Sequence, residues 1–191
     1  AVLAQAFASL QDYATALCVQ VATAQGSTGA EVRVSGVLSY LEPLAGLKDK
    51  ASIEHLELSA RASLADGALQ VSSGLAFNHI TACPCVQQTY KHSFDDGQRL
   101  PRQLAEQGIP LVTHSQRCRS GITIVGAAPP LALPDLLAAV DRAVVRCQNT
   151  LPREQELLAV HRAHREPQFL EDALRELLRA AYELLVRDHP S

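Results

Sequence analysis

Between Asn78 and Arg119 the sequence gathers His79, the pair Cys83-Pro84-Cys85, His92 and His114 among segments that otherwise read as β-strands. Thiolate and imidazole are ligands that suit a divalent transition metal. One thiol, one imidazole and one carboxylate leave such an ion an open position for water, the arrangement of a reactive rather than a structural centre. Cys-Pro-Cys is too tight for both thiols to chelate, and no second pair exists to close a four-thiol site. One thiol is therefore expected to ligate and the other to support or pack. The plainer reading makes both thiols small buried hydrophobes. His114 further along the chain tips the balance toward a metal.

Other polar residues carry two readings each. Arg117 and Arg119 alternate with Cys118, so both project to one side of a strand. That suits an anionic ligand, and equally suits an exposed edge strand. Asp141 borders the apolar stripe of its helix; an inward carboxylate needs a partner, of which a metal is one candidate, while the plainer reading is a solvated Asp beside Arg142. Glu154 and Glu156 flank a helix start, where acids favour the helix dipole. His161 and His164 share a helix face at i,i+3, but no His-Glu-x-x-His motif forms around them, so they read as a solvated face.

The elements that must position these groups follow from periodicity. Leu3, Phe7, Leu10, Ala14, Leu17 and Val21 predict an amphipathic helix over 1–25, stopped at Gly26. Alternation predicts strands over 30–40, 53–64 and 68–79, the last two joined at Asp66-Gly67, a strong hairpin signal. Residues 89–108, including Asp95-Asp96-Gly97, read as a polar excursion with a helical turn near Leu104. A strand is predicted over 119–126, then a break at Ala127-Ala128-Pro129-Pro130. Pro134-Asp135 opens a helix whose stripe is Leu137, Val140, Val144 and Cys147. A short charged helix over 153–165 and a last helix carrying Phe169, Ala173, Leu177, Ala181 and Leu184 complete an α+β order.

Bulk composition bounds the function. A net charge of -3 argues against a general nucleic-acid binder, and no apolar run reaches membrane-spanning length. Five cysteines without a repeating framework fit a reducing cytoplasm. The chain has no Met and begins at Ala1, so a processed or incomplete chain with missing native ends is expected.

Thr81-Ala82-Cys83-Pro84-Cys85, Thr113-His114-Ser115-Gln116-Arg117 and Arg153-Glu154-Gln155-Glu156 resemble the type IB GTP cyclohydrolases, a family that includes the archaeal enzymes of methanopterin synthesis. The likeness extends through Pro43-Leu44-Ala45-Gly46 and Glu166-Pro167-Gln168-Phe169-Leu170-Glu171-Asp172. Val-Gln after Cys85 and a long insert over 89–108 lean toward the archaeal branch, and the family's His-Met-Ser-Arg segment is not present. The resemblance implies a tunnelling fold (T-fold), with an antiparallel sheet backed by helices and subunits closing an oligomeric barrel. It implies a homotetramer with active sites between subunits. The chain would be a single region, 1–191, or two fused modules, 1–126 and 127–191.

By the same resemblance Cys85, His114 and Asp141 hold a divalent metal (Zn, Mn or Fe(II)), and Glu156 holds the guanine edge or assists proton transfer. Gln116 with Arg117 or Arg119 meets the triphosphate. The implied reaction opens the guanine imidazole ring of GTP, releases formate and forms 7,8-dihydroneopterin triphosphate. A cyclic-phosphate product is the variant within the class. A related tunnelling-fold enzyme with Cys83 or Cys85 as nucleophile, and a structural metal-binding domain, are the alternatives outside it.

Overall fold

The computed structural model describes residues 4–44, 46–47, 49–90, 99–126 and 132–188. His92, Asp95-Asp96-Gly97 and the Ala127–Pro130 break lie outside these residues.

Ser9, rather than the chain start, opens helix α1 (Leu10–Gln25). Its hydroxyl accepts from the Asp12 amide at 3.0 Å and donates to the Asp12 carboxylate at 2.7 Å, satisfying a helix-end donor. The expected helix over 1–25 is thus shorter, because a capping serine outweighs an apolar stripe that happens to stay in phase through Phe7. The buried face also differs from the expected one. Gln11, Ala14, Cys18 and Ala22 are inside, while Val21 is exposed. Small side chains let the helix lie close on the sheet, where Ala14 and Cys18 meet Ala60 and Ala62. Gly26 ends the helix in the left-handed conformation, φ 59°.

Three long strands follow: β1 (Gly29–Pro43), β2 (Ala51–Ala65) and β3 (Ala68–Ala82). Asp66 and Gly67 join the last two with φ of 48° and 80°, the two positive values a tight hairpin turn requires. Helix α2 (Pro84–Thr89) precedes the polar excursion, and α3 (Arg99–Glu106) lies where a helical turn near Leu104 was expected. Strand β4 (Ser115–Val125) begins four residues earlier than expected and pairs with β3 along its full length, from Ala82↔Ser115 to Ser72↔Val125. The sheet is antiparallel in the order β1-β2-β3-β4, open at both long edges.

Helix α4 (Leu133–Ala143) stops before Val144, and β5 (Val145–Arg146) pairs with β3 through His79↔Arg146. Cys147 therefore lies past the helix on which its spacing had placed it, with its amide bound to the Asn78 carbonyl at 2.8 Å. The β-branched run Val144-Val145 favours the strand edge that β2 leaves free at this end of β3. Helices α5 (Arg153–Arg165) and α6 (Leu170–Asp188) close the chain.

The alternation read in β2 holds. Leu56, Ala60 and Ala62 are buried, and Glu57, Ser59 and Arg61 are exposed. Leu56, Leu75, Phe77 and Ile124 pack under Leu137, Val140, Ala173, Leu177 and Leu184 of α4 and α6. All the packed helices cover one face. The other is polar, with Arg61 to Glu31 at 2.5 Å and an Arg119–Glu57 pair. This is α+β architecture with an open antiparallel sheet. Among the described residues no helix is long and apolar enough to cross a membrane.

Candidate functional site

At the end of the β3–β4 ladder the two chemistry-bearing segments meet. Ala82 closes β3, and Cys83 caps α2 with Pro84 at its first position, where a missing amide costs nothing. The Cys83 amide donates to the His114 carbonyl at 3.1 Å, and the Thr113 hydroxyl donates to the Cys83 carbonyl at 2.7 Å. These two bonds carry the strand pairing one step beyond β4 and hold Cys83 beside His114.

Both residues line a cavity of about 390 Å³ whose remaining walls are Thr81, Ala82, Ser115, Gln116, Gln168, Phe169, Leu170 and Glu171. Glu171 stands in the first turn of α6 and contributes the carboxylate. Gln168 turns its amide to the Ala143 carbonyl at 3.0 Å, fixing the approach to α6 against the end of α4. The cavity thus offers a thiol, an imidazole, a carboxylate and an aromatic face.

The two thiols of Cys-Pro-Cys are distinguished here. Cys83 is half-buried and lines the cavity, whereas Cys85 is exposed and does not. Partial desolvation, then the neighbouring Cys83 thiol, push the Cys85 thiol above its ordinary range.

The other expected site residues lie elsewhere. The Asp141 carboxylate takes a two-pronged ion pair from Arg146, Nε to Oδ1 at 2.9 Å and Nη2 to Oδ2 at 3.0 Å. Arg146 is almost fully buried and also donates to Glu42 and to the Tyr40 hydroxyl. Glu156 is exposed in the first turn of α5 and does not line the cavity. Arg117 and Arg119 do share a face, as their spacing requires, but it is the polar face of the sheet. There Arg119 meets Glu57, and Arg117 lies against Cys147, whose thiol burial pushes up and Arg117 partly restrains. Gln116 lines the cavity. His79 is a core residue: its Nε2 lies 2.9 Å from the Ser120 hydroxyl, and burial holds its pKa below the ordinary value, which keeps it neutral.

Among the described residues, no three of His, Cys, Asp or Glu converge in metal-binding geometry. The donor chemistry of Cys83 and His114 nonetheless fits a transition metal, with Glu171 on the same cavity wall. Glu171 escaped the reading of single residues because an acid in a first helical turn has a ready dipole explanation. The signal that could have found it is its place in the Gln168–Asp172 stretch.

Comparison with known proteins gives one family. The model of the family described as type I GTP cyclohydrolase folE2 matches residues 3–187. GTP cyclohydrolase MptA of Thermoplasma volcanium is 30% identical over 125 residues, which cover 63% of this chain and 42% of that protein. GTP cyclohydrolase MptA 1 of Methanocella arvoryzae is 28% identical over 197 residues, covering 92% of this chain and 58% of that protein. A third, from Methanoculleus marisnigri, is 30% identical over 135 residues, or 65% and 42%. The chain spans about half the length of these relatives.

Proposed function

The chain belongs to the type I GTP cyclohydrolase folE2 family, and from that premise we propose that it opens the imidazole ring of GTP hydrolytically. Water adds at guanine C8, the imidazole ring opens, a second water releases C8 as formate, and the ribose carbons rearrange and close with loss of water to 7,8-dihydroneopterin triphosphate. The observation that carries this reading is the cavity that joins Cys83, His114 and Glu171.

In this reading Glu171 accepts from guanine N1–H and from the N2 amine, a two-pronged match for a carboxylate and a specific one, since few bases present two adjacent donors. This is the role expected above of Glu156. Phe169, which is 39% exposed although large and apolar, offers its ring to the purine face. Gln116 and Ser115 supply polar contacts on the β4 side.

Cys83 and His114 are the proposed ligands of a divalent metal (Zn, Mn or Fe(II)), with Cys85 alongside. When bound, such an ion lowers the pKa of a coordinated water to about 7, which C8 hydration at neutral pH needs. Asp141, the acid expected from the resemblance, has its carboxylate engaged by Arg146, which favours a residue of a neighbouring subunit to complete the set. Arg117 and Arg119 reach the triphosphate only if an adjoining subunit presents the polar face of its sheet to this cavity.

That geometry supports a tunnelling-fold oligomer, a tetramer by resemblance, in which open sheets join edge to edge as a barrel. The free edges of β1 and β4 support it. So does the exposed stripe Leu170, Leu174, Leu178 and Tyr182 on α6. The described thiols, all free, support a reducing compartment such as the cytoplasm.

The test is formate release from GTP after chelation and after adding back Zn, Mn or Fe(II), with Cys83→Ala and Cys85→Ala in parallel. Metal-dependent formate, lost in Cys83→Ala and largely kept in Cys85→Ala, is the expected result. The phosphate content of the product separates the triphosphate from the cyclic phosphate. No formate with any metal would sink the proposal, and the reverse ranking of the two variants would sink the choice of thiol.

A further inference from the structure

His161 and His164, whose spacing suggested a solvated helix face, make contacts that the proposed reaction does not yet use. The run from Ile109 to His114 has neither helix nor strand of its own. A hollow of about 510 Å³ lies against it, lined by Gln87, Gly108, Leu111 and His164, and Ile109 and Val112 are exposed, so packing does little to fix its course. Side chains do so instead. His161 Nε2 lies 3.0 Å from the Gly108 carbonyl, the Gln87 amide donates to the Leu111 carbonyl at 2.6 Å, and His164 Nε2 lies 3.1 Å from the Thr113 carbonyl. Carbonyl oxygens only accept, so in each contact the ring or amide nitrogen carries the proton.

The donors are themselves tied together. The Gln87 amide also donates to the His164 main-chain carbonyl at 2.7 Å, joining α2 to α5. Nδ1 of the His164 ring lies 2.8 Å from the Val160 carbonyl one turn earlier, the alternative donor position, since a neutral imidazole carries one N–H. Gln87 and Cys83 belong to the same short helix and its cap, so the side chain that grips the run also stands on the element that presents the thiol.

We propose that Gln87, His161 and His164 are positioning residues that clamp the 108–113 run and thereby set the His114 imidazole opposite Cys83. The clamp rests on the reading of the cavity as the metal-binding reaction site. None of the three touches the cavity, so none is a catalytic residue. Losing an outer hydrogen bond to a metal-site residue costs about 10–100-fold in affinity, and a clamp acting one residue away belongs at the lower end.

The test uses the whole chain carrying His164→Ala, His164→Gln or Gln87→Ala, with His55→Ala on the far sheet face as the control. Amide hydrogen exchange at Cys83, whose amide donates to the His114 carbonyl, is read in the metal-free protein. Co(II) titration, followed by its thiolate charge-transfer and d–d absorption, reads the site itself. The expected result is exchange faster by about tenfold, and Co(II) binding weaker by about tenfold with an altered spectrum, in His164→Ala and Gln87→Ala. His164→Gln, which keeps a donor, restores both, and His55→Ala changes neither. Exchange or Co(II) affinity within twofold of the parent in both truncations overturns the clamp. If His164→Ala does not fold, Gln87→Ala against the parent decides between the same two outcomes. A parent that takes up no Co(II) overturns the metal reading instead, and exchange alone then decides the clamp.

Discussion

Replacing Arg146 by Met should destabilise the protein in a way that depends on pH. The guanidinium is 4% exposed and donates to Asp141 at 2.9 and 3.0 Å, to Glu42 at 2.9 Å through Nη1 and again through Nη2, and to the Tyr40 hydroxyl at 3.2 Å. Breaking a buried ion pair by removing one partner costs about 3–5 kcal/mol, because a charge is stranded. The Glu42 side chain is 20% exposed and Asp141 43%, so water recovers part of the loss, chiefly at Asp141, and about 3 kcal/mol at pH 7 is expected.

Acidification separates this mechanism from simple loss of packing. In the parent, burial pushes the Glu42 carboxyl up, but the bonds from Arg146 and Tyr40 outweigh it and hold the group below its ordinary range. A folded value below the unfolded one contributes stability that is present above about pH 4.3 and is lost as pH falls through the folded value. Without the guanidinium, burial dominates and the folded value rises above the unfolded one. The penalty is then full above the raised value and is relieved as protons bind. The gap between parent and Arg146→Met should therefore shrink from about 3 kcal/mol at pH 7 to about half that at pH 4. Urea midpoints at fixed protein concentration measure it. A gap below about 1 kcal/mol at pH 7, or one that stays constant down to pH 4, would refute the ion-cluster account.

Two further outcomes follow from the geometry. Glu171→Gln should lower kcat/KM for GTP roughly a hundredfold, since two charge-assisted bonds to the guanine edge are replaced by one acceptor and one misplaced donor. The GTP to inosine triphosphate preference should collapse with it, and an unchanged ratio would remove Glu171 from base recognition. Ser9→Ala should cost about 1 kcal/mol through the lost cap of α1, whereas Ser9→Gly costs a few tenths, as read from thermal midpoints; equal losses would mean that the cap is not the cause.

The strands were legible because one buried face imposes a period of two, so Leu56, Ala60 and Ala62 announce themselves. The turn at Asp66-Gly67 and the end of α1 at Gly26 were legible because backbone with positive φ limits the residue choice. Helix ends set by side chains were not. Ser9 stands in a stripe that stays in phase through it, and α4 stops at Ala143 because a strand edge is open beside β3, a fact of the sheet rather than of the helix.

The site divides the same way. His114 and the Cys-Pro-Cys pair could be picked out by residue type. Which thiol faces the cavity depends on how Pro84 starts α2, and Asp141 could not be matched to Arg146 without knowing that the chain doubles back after α4. The grip of His161 and His164 on main-chain carbonyls has no signature in side-chain spacing at all.

The full-length pairing of β3 with β4 also bears on how such a chain can change over time. A single-residue deletion inside either strand would exchange the faces beyond it, bringing Arg117 and Arg119 toward the helices and turning His79 and Thr81 out to water. Length change is therefore closed to lineages within the ladder and open between Thr89 and Gly108, where the chain leaves the sheet and returns. Drift in that stretch leaves Cys83 just past the end of β3 and His114 just before β4.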